Sequence, residues 1–217
     1  RKTVAVENYT GFEEISGFEL IQKFENHLRR QNVAVKNDEV ISLAKTDNIF
    51  SISTKAASQF LAKAVILAMG AEPRTLDVLG EKEFIGKGVS YCVACDGPMF
   101  AKKTVAVAGG GNSAFEAALF LQDISKKIYI VEYEKVIRAD ALLQERIEQG
   151  GKAAIITGAA IKEIRGGQFV HSIIYQDLAS GKEKTLNVDG IFIEIGNQPA
   201  TSFVKDLADL NEKREIV

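Results

Sequence analysis

The chain has 217 residues, 46% of them hydrophobic, and 27 Lys plus Arg against 29 Asp plus Glu, for a formal charge of -2. That is enough apolar material for one large domain or two small ones, and no basic run points to nucleic acid. The longest apolar run, 64–69, is far too short to span a membrane and no signal sequence opens the chain, so the expected location is cytoplasmic, without a membrane partner.

Arg1 stands where an initiator Met is usual and 3–6 already reads as a strand, which suggests an internal fragment of a longer protein. Ser16-Gly17-Phe18-Glu19 fits a capping box, and Leu20, Ile21, Phe24, His27 and Leu28 share one face of the helix that follows, with His27 a partly buried packing residue. Short runs at 33–36, 40–43 and 49–53 read as strands of an antiparallel layer, and 62–68 as a buried strand closed by Met69-Gly70-Ala71. Pro73 and Arg74 begin a linker.

Both cysteines then fall in one stretch, Cys92-Val93-Ala94-Cys95, followed by Asp96. Two sulfurs at this spacing close into a disulfide, and a thiolate near a helix start is stabilised by the local field. Half a zinc site is the alternative, but zinc takes four ligands and only His27 and His171 remain. Asp96 is either a proton donor beside the sulfurs or a cap for the turn that follows.

Next comes a βαβ pattern: strand 104–108, turn Gly109-Gly110-Gly111, Ala-rich helix 113–122 and strand 128–132. Gly109, Gly111 and Ala114 match G-x-G-x-x-A, which provides a tight turn, close approach of a pyrophosphate and helix-to-strand packing. Phosphate would sit at the helix start, on Asn112 and Ser113. Glu132 ends the second strand at the spacing of a ribose-binding acid. The alternative is a glycine turn that serves helix packing alone. Leu142, Leu143 and Ile147 suggest another helix ending at Gly150-Gly151, and 153–157, 160–165, 170–176 and 185–188 read as strands with hairpin turns at Gly166-Gly167 and Ser180-Gly181, forming a lid on the parallel sheet. His171 reads as a surface or rim residue. A last buried strand, 191–195, exits through Gly196-Asn197-Gln198-Pro199.

Glu7-Asn8-Tyr9-Thr10-Gly11, Ala68-Met69-Gly70-Ala71, the 88–97 block around the two cysteines, 109–112 and Asp189-Gly190-Ile191-Phe192 together resemble low-molecular-weight thioredoxin reductase over nearly the whole chain. The resemblance implies an α/β fold: a Rossmann-like three-layer nucleotide-binding domain with a β-meander lid, beside an incomplete FAD-binding domain of the same class. The expected boundaries are 1–73 for part of the FAD domain, 74–197 for the NAD(P)H domain carrying the dithiol, and 198–217 for the returning FAD segment. Electrons would pass from nicotinamide through FAD to the Cys92–Cys95 disulfide and on to thioredoxin or a similar small redox protein, in a homodimer. By position Cys95 faces the flavin, Cys92 attacks the partner and Asp96 protonates the leaving thiolate. Asn8, Ala68, Gly70 and Ala71 match flavin contacts, and Gly196 and Arg138 join the cofactor-binding set.

Three departures stand out. The family has Pro where this chain has Thr10. Its N-terminal G-x-G-x-x-G for FAD and its C-terminal Gly-Asp segment do not occur in these 217 residues. Its His-Arg-Arg signature for the 2'-phosphate is replaced by Glu132-Tyr133-Glu134, with Arg138 retained, which favours NADH over NADPH. The competing reading is a non-catalytic nucleotide-binding fragment or redox regulator without a complete flavin site.

Overall fold

A computed structural model describes Val6 and residues 9–217; Asn8 and most of the expected strand at 3–6 lie outside the described residues. In chain order the elements are α1 (Gly17–Arg30), β1 (Val40–Thr46), β2 (Ile49–Thr54), β3 (Gln59–Ala62), β4 (Ala71–Pro73), β5 (Val89–Ser90), α2 (Val93–Asp96), a 3-10 turn (Gly97–Phe100), β6 (Thr104–Ala108), α3 (Asn112–Ile124), β7 (Lys127–Val131), α4 (Ala141–Gly150), β8 (Ala153–Ile156), β9 (Ala159–Gly166), β10 (Val170–Asp177), β11 (Glu183–Asn187), β12 (Gly190–Ile193) and β13 (Asn197–Pro199). They divide into two compact units, Arg1–Lys23 with Pro73–Gly196, and Phe24–Glu72 with Asn197–Val217.

The first unit is built on a five-stranded sheet in the order β5-β12-β6-β7-β8, with every pairing parallel. Parallel strands are buried on both faces, which explains why their sequences are nearly continuous apolar runs. Alternate residues point to opposite sides. Val105, Val107, Ile128, Ile130 and Phe192 pack on α3 and α4 through Phe115, Leu121 and Ile147. Ala106, Ala108, Ile191 and Ile193 pack on the antiparallel meander β9-β10-β11 through Ile164, Ile173 and Tyr175. This is the expected three-layer α/β architecture. Ala114, Ala117 and Ala118 are buried on α3, and their small side chains let the helix sit close to the sheet. Fully burying Phe115 or Leu121 is worth about 1.5–3 kcal/mol each. Gly151 ends α4 in the left-handed conformation, φ +67°, as the double glycine suggests.

The second unit holds an antiparallel sheet, β1-β2-β3, and a ribbon that pairs β4 with β13. Three expectations fail here. Residues 33–36 form no strand, and Val35 is 68% exposed. The apolar run at 62–68 is not a strand beyond Ala62, and Ile66 is 94% exposed. An apolar run becomes a buried strand only where neighbours take its backbone N–H and C=O groups, and no described strand pairs with 64–68. His27 is exposed rather than packed, because a helical face is buried only where another element covers it. The Ser16 cap does form: Ser16 Oγ accepts the Glu19 N–H at 3.1 Å. Among the described residues no helix is long and apolar enough to cross a membrane.

Candidate functional site

The carboxyl ends of the parallel strands, where open α/β sheets place their ligands, carry both chemical motifs of the first unit. Strand register sets Ser90 beside Phe192, Ile193 beside Ala108, and Ala108 beside Val131. The dithiol follows β5 and the glycine turn follows β6, with only β12 between them. At about 4.8 Å per strand the two motifs leave the sheet roughly 10 Å apart.

Beyond those ends lies a cleft of about 1000 Å³. Gly109, at φ +128°, sits where a Cβ would run into the Glu194 carbonyl, so the turn can be made only without a side chain. Its N–H donates to the Val131 carbonyl at 2.9 Å, tying the turn to the neighbouring strand. Nothing lies within 4 Å of a Cβ at Gly111, which faces the open cleft. Ala114 is fully buried beneath the turn, 3.3 Å from the Gly109 Cβ position, and is therefore a packing residue rather than part of the cleft wall. Gly111 is the N-cap of α3 and has no side-chain acceptor, so the first helical N–H groups and the positive end of the helix dipole face the cleft at Asn112 and Ser113.

Asn112 lines the cleft, but its side chain is committed. Its Nδ2 donates to Asp140 and its Oδ1 accepts the Asp140 N–H, both at 2.9 Å. The N–H groups of Arg138 and Ala139 donate to the Gly110 carbonyl at 2.9 and 3.0 Å. The 138–140 segment is thus latched across the glycine turn. Glu132 is half-buried, with a carboxylate oxygen 2.7 Å from where a Gly110 Cβ would be, and its Oε1 accepts the Glu134 N–H at 2.8 Å. Tyr133 is 61% exposed. Arg138, the cation that the sequence retains at this end, lies 3.7 Å from Glu134, an exposed and solvent-screened pair. Gly196, at φ +93°, also lines the cleft, and its carbonyl accepts the Arg74 N–H at 2.9 Å.

No sequence motif marks four charged cleft residues, Arg74, Asp77, Lys162 and Glu194. Burial, reinforced by the charge of Glu116, pushes the Glu194 carboxyl up to about 7. The signal for it was one polar residue inside an otherwise apolar strand pattern.

At the dithiol, Cys92 has extended backbone and is the N-cap of α2, and it is disulfide-bonded to Cys95 with a Cα–Cα distance of 5.4 Å. Buried Ser90 organises the surroundings. Its hydroxyl donates to Asp96 Oδ2 at 2.6 Å and accepts the Cys92 N–H at 3.1 Å, while the Asp96 N–H donates to the Cys92 carbonyl at 3.1 Å. The Asp96 carboxylate makes no cap bond to the following 3-10 turn. Nothing local in the sequence marks Ser90, because its partner is six residues away.

Ala68, Gly70 and Ala71 belong to the second unit, and none of them is among the residues that line the cleft of the first. Ala68 lines a groove of about 620 Å³ with Ile41, Leu43, Ile52, Met69 and Phe203. The Gly70 carbonyl accepts the Ala200 N–H at 3.2 Å, and Ala71 begins β4.

The model of the family described as pyridine nucleotide-disulphide oxidoreductase matches residues 2–217. The F component of alkyl hydroperoxide reductase in Staphylococcus aureus is 38% identical over 216 residues, an alignment covering 99% of this chain and 43% of that protein. The crystal structure of Lactococcus lactis thioredoxin reductase is similar with a TM-score of 0.79 and 33% identity, covering 99% of this chain and 71% of that one. The thioredoxin reductase of T. acidophilum gives 0.75 and 37% over the same shares. The chain thus spans less than half the length of this curated relative. A flavin needs a slot for its ring and a turn for its pyrophosphate. The groove of the second unit has the apolar character of a ring slot, but the sequence holds no second glycine-rich fingerprint, so these residues do not complete an FAD site.

Proposed function

The chain belongs to the pyridine nucleotide-disulphide oxidoreductase family, and from that premise we propose that its first unit binds a nicotinamide dinucleotide in the cleft and presents Cys92–Cys95 as the redox-active disulfide of a thioredoxin reductase-like enzyme. The observation that carries this reading is the placement of a glycine-turn cleft and a dithiol at the carboxyl end of one parallel sheet. The 74–197 stretch then serves as the nicotinamide domain, and the second unit contributes part of a flavin domain.

In this reading the pyrophosphate rests on the 109–113 turn and the start of α3, and Glu132 accepts the hydroxyls of the adenosine ribose. A 2'-phosphate would instead meet Glu132 and Glu134, with Arg138 already engaged by Glu134, so NADH is the preferred donor. In the full-length protein a bound flavin would supply the two-electron link between nicotinamide and disulfide; the residues of this chain supply the disulfide and its surroundings. Reduction of Cys92–Cys95 consumes two electrons and two protons and leaves two thiols. The Cys92 thiolate attacks the partner's disulfide, which breaks with one partner sulfur bonded to Cys92 and the other leaving as a thiolate. Asp96, held in place by Ser90, supplies the proton to the leaving sulfur. Cys95 then attacks Cys92, which re-forms the internal disulfide and frees the reduced partner. That partner is a thioredoxin-like protein or, given the relatives named as components of alkyl hydroperoxide reductase, a peroxide-reducing protein, served by a cytoplasmic homodimer.

The competing reading is a nucleotide-binding module or redox regulator with an idle dithiol. Expression of the gene with its natural ends separates the two. The first reading expects a yellow protein that reduces a disulfide substrate with NADH faster than with NADPH, whereas a colourless protein that binds nucleotide without reducing disulfides supports the second.

A further inference from the structure

Glu81 is an acidic residue with no exposed surface. Its carboxylate is held by three neutral donors: Oε1 accepts the Leu76 N–H at 2.8 Å and the Tyr91 O–H at 2.7 Å, and Oε2 accepts the Val78 N–H at 3.4 Å. A buried carboxylate without such donors would be strongly destabilising, so this arrangement fixes all three partners at once. Leu76 and Val78 form part of the cleft wall, and Tyr91 immediately precedes Cys92.

We propose that Glu81 is a positioning residue that couples occupancy of the nucleotide cleft to the redox state of the Cys92–Cys95 pair. The inference rests on the reading of the cleft as a nucleotide site and of the pair as redox-active. The 74–79 wall is pinned at both ends, by the Arg74 N–H on the Gly196 carbonyl at 2.9 Å and by the Leu79 carbonyl accepting the Ile164 N–H at 2.9 Å. Between those pins its position is set by Glu81. On the far side, Tyr91 leads into a cysteine whose own amide is held by Ser90. Burial, together with the adjacent Glu81, raises the pKa of the Tyr91 phenol, which keeps it a donor across the physiological range. Reduction removes the S–S bond and lets the two sulfurs separate. That relaxes the 92–95 turn, and Tyr91 and Glu81 carry the change to Leu76 and Val78. A nucleotide packed on the wall acts along the same connection in reverse, because coupling between two binding equilibria is reciprocal.

The test titrates the whole chain with NAD+, which cannot donate electrons, in its disulfide form and after reduction by a phosphine. The expected result is at least a threefold difference in Kd between the two forms. A threefold ratio corresponds to a shift of about 14 mV in the midpoint potential of the pair on saturation with NAD+, from about 29.6 mV per tenfold for a two-electron couple. In Tyr91→Phe the two Kd values converge, while affinity in the disulfide form stays within about threefold of the unmodified chain. Equal Kd values in the unmodified chain, or a ratio that survives Tyr91→Phe, overturn the proposal. Amide hydrogen exchange at Leu76 and Val78 supplies a readout that needs no nucleotide: it should change on reduction in the unmodified chain and stay constant in Tyr91→Phe. Unchanged exchange in the unmodified chain refutes the coupling. Failure of NAD+ to bind while exchange still responds to reduction refutes the nucleotide reading alone.

Discussion

Replacing Tyr133 and Glu134 together by Arg should reverse the nucleotide preference of the cleft. In the unmodified chain Glu132 lies against Gly110, and Glu134 sits 3.7 Å from Arg138. A carboxylate about 5 Å from a phosphate charge costs about 3 kcal/mol at an effective dielectric of 20. Tyr133 and its neighbours are exposed, so screening reduces this to about 1 kcal/mol. The double substitution removes that repulsion, frees Arg138, and adds two guanidinium donors worth about 1.5 kcal/mol each at the low end for charged hydrogen bonds. The sum is close to 4 kcal/mol, and discounting half of it for side-chain entropy still leaves a change of about thirtyfold in the NADPH-to-NADH affinity ratio. Fluorescence titration of both proteins with both nucleotides measures the ratio directly. Tighter NADPH binding by the unmodified chain, or a ratio left unmoved by the substitutions, would show that Glu132 and Glu134 do not face the adenosine ribose.

Three further outcomes follow from the geometry. Thiol labelling before and after mild reduction should differ by two groups, and in the full-length, flavin-loaded protein Cys92→Ser should abolish transfer to the partner while Cys95 still reacts with flavin; the reverse pattern would exchange the two roles. The Glu194 carboxyl is raised to about 7 by burial first and Glu116 second, so the native state holds a proton that the unfolded chain has released, and stability falls as pH rises from about 4.5 to about 7. Because the group is only partly buried, Glu194→Gln should gain about 1–2 kcal/mol at pH 8 and almost nothing at pH 4, as read from denaturant midpoints at the two pH values. Gly109→Ala, which drives a methyl group into the Glu194 carbonyl at φ +128°, should cost about 2–4 kcal/mol of stability and weaken nucleotide binding; wild-type melting and affinity would mean that the turn relaxes freely.

The parts of this molecule that were legible in the sequence are those set by local repetition. The βαβ unit was expected as 104–108, 113–122 and 128–132 and occurs as Thr104–Ala108, Asn112–Ile124 and Lys127–Val131, because a buried parallel strand and a small-faced helix each impose a pattern on consecutive residues. The 62–68 run carried the same apolar signature without pairing partners, so the pattern was present and the strand was not. Contacts between distant residues left no such trace. Ser90 reaches Asp96, Glu81 reaches Tyr91, and Asn112 reaches Asp140 across 28 positions, and each depends on how the chain returns to the sheet rather than on its neighbours. The side chain of Asn112 latches a loop in addition to lining the cleft, a role that the glycine motif does not encode.

If Cys92 and Cys95 are where electrons from a nicotinamide end, a count of thiols in the flavin-loaded full-length protein, after one equivalent of NADH under anaerobic conditions, reads the transfer directly. The account predicts two new thiols, both mapped to these cysteines and both absent from Cys95→Ser; oxidation of NADH with the Cys92–Cys95 disulfide left intact would contradict it.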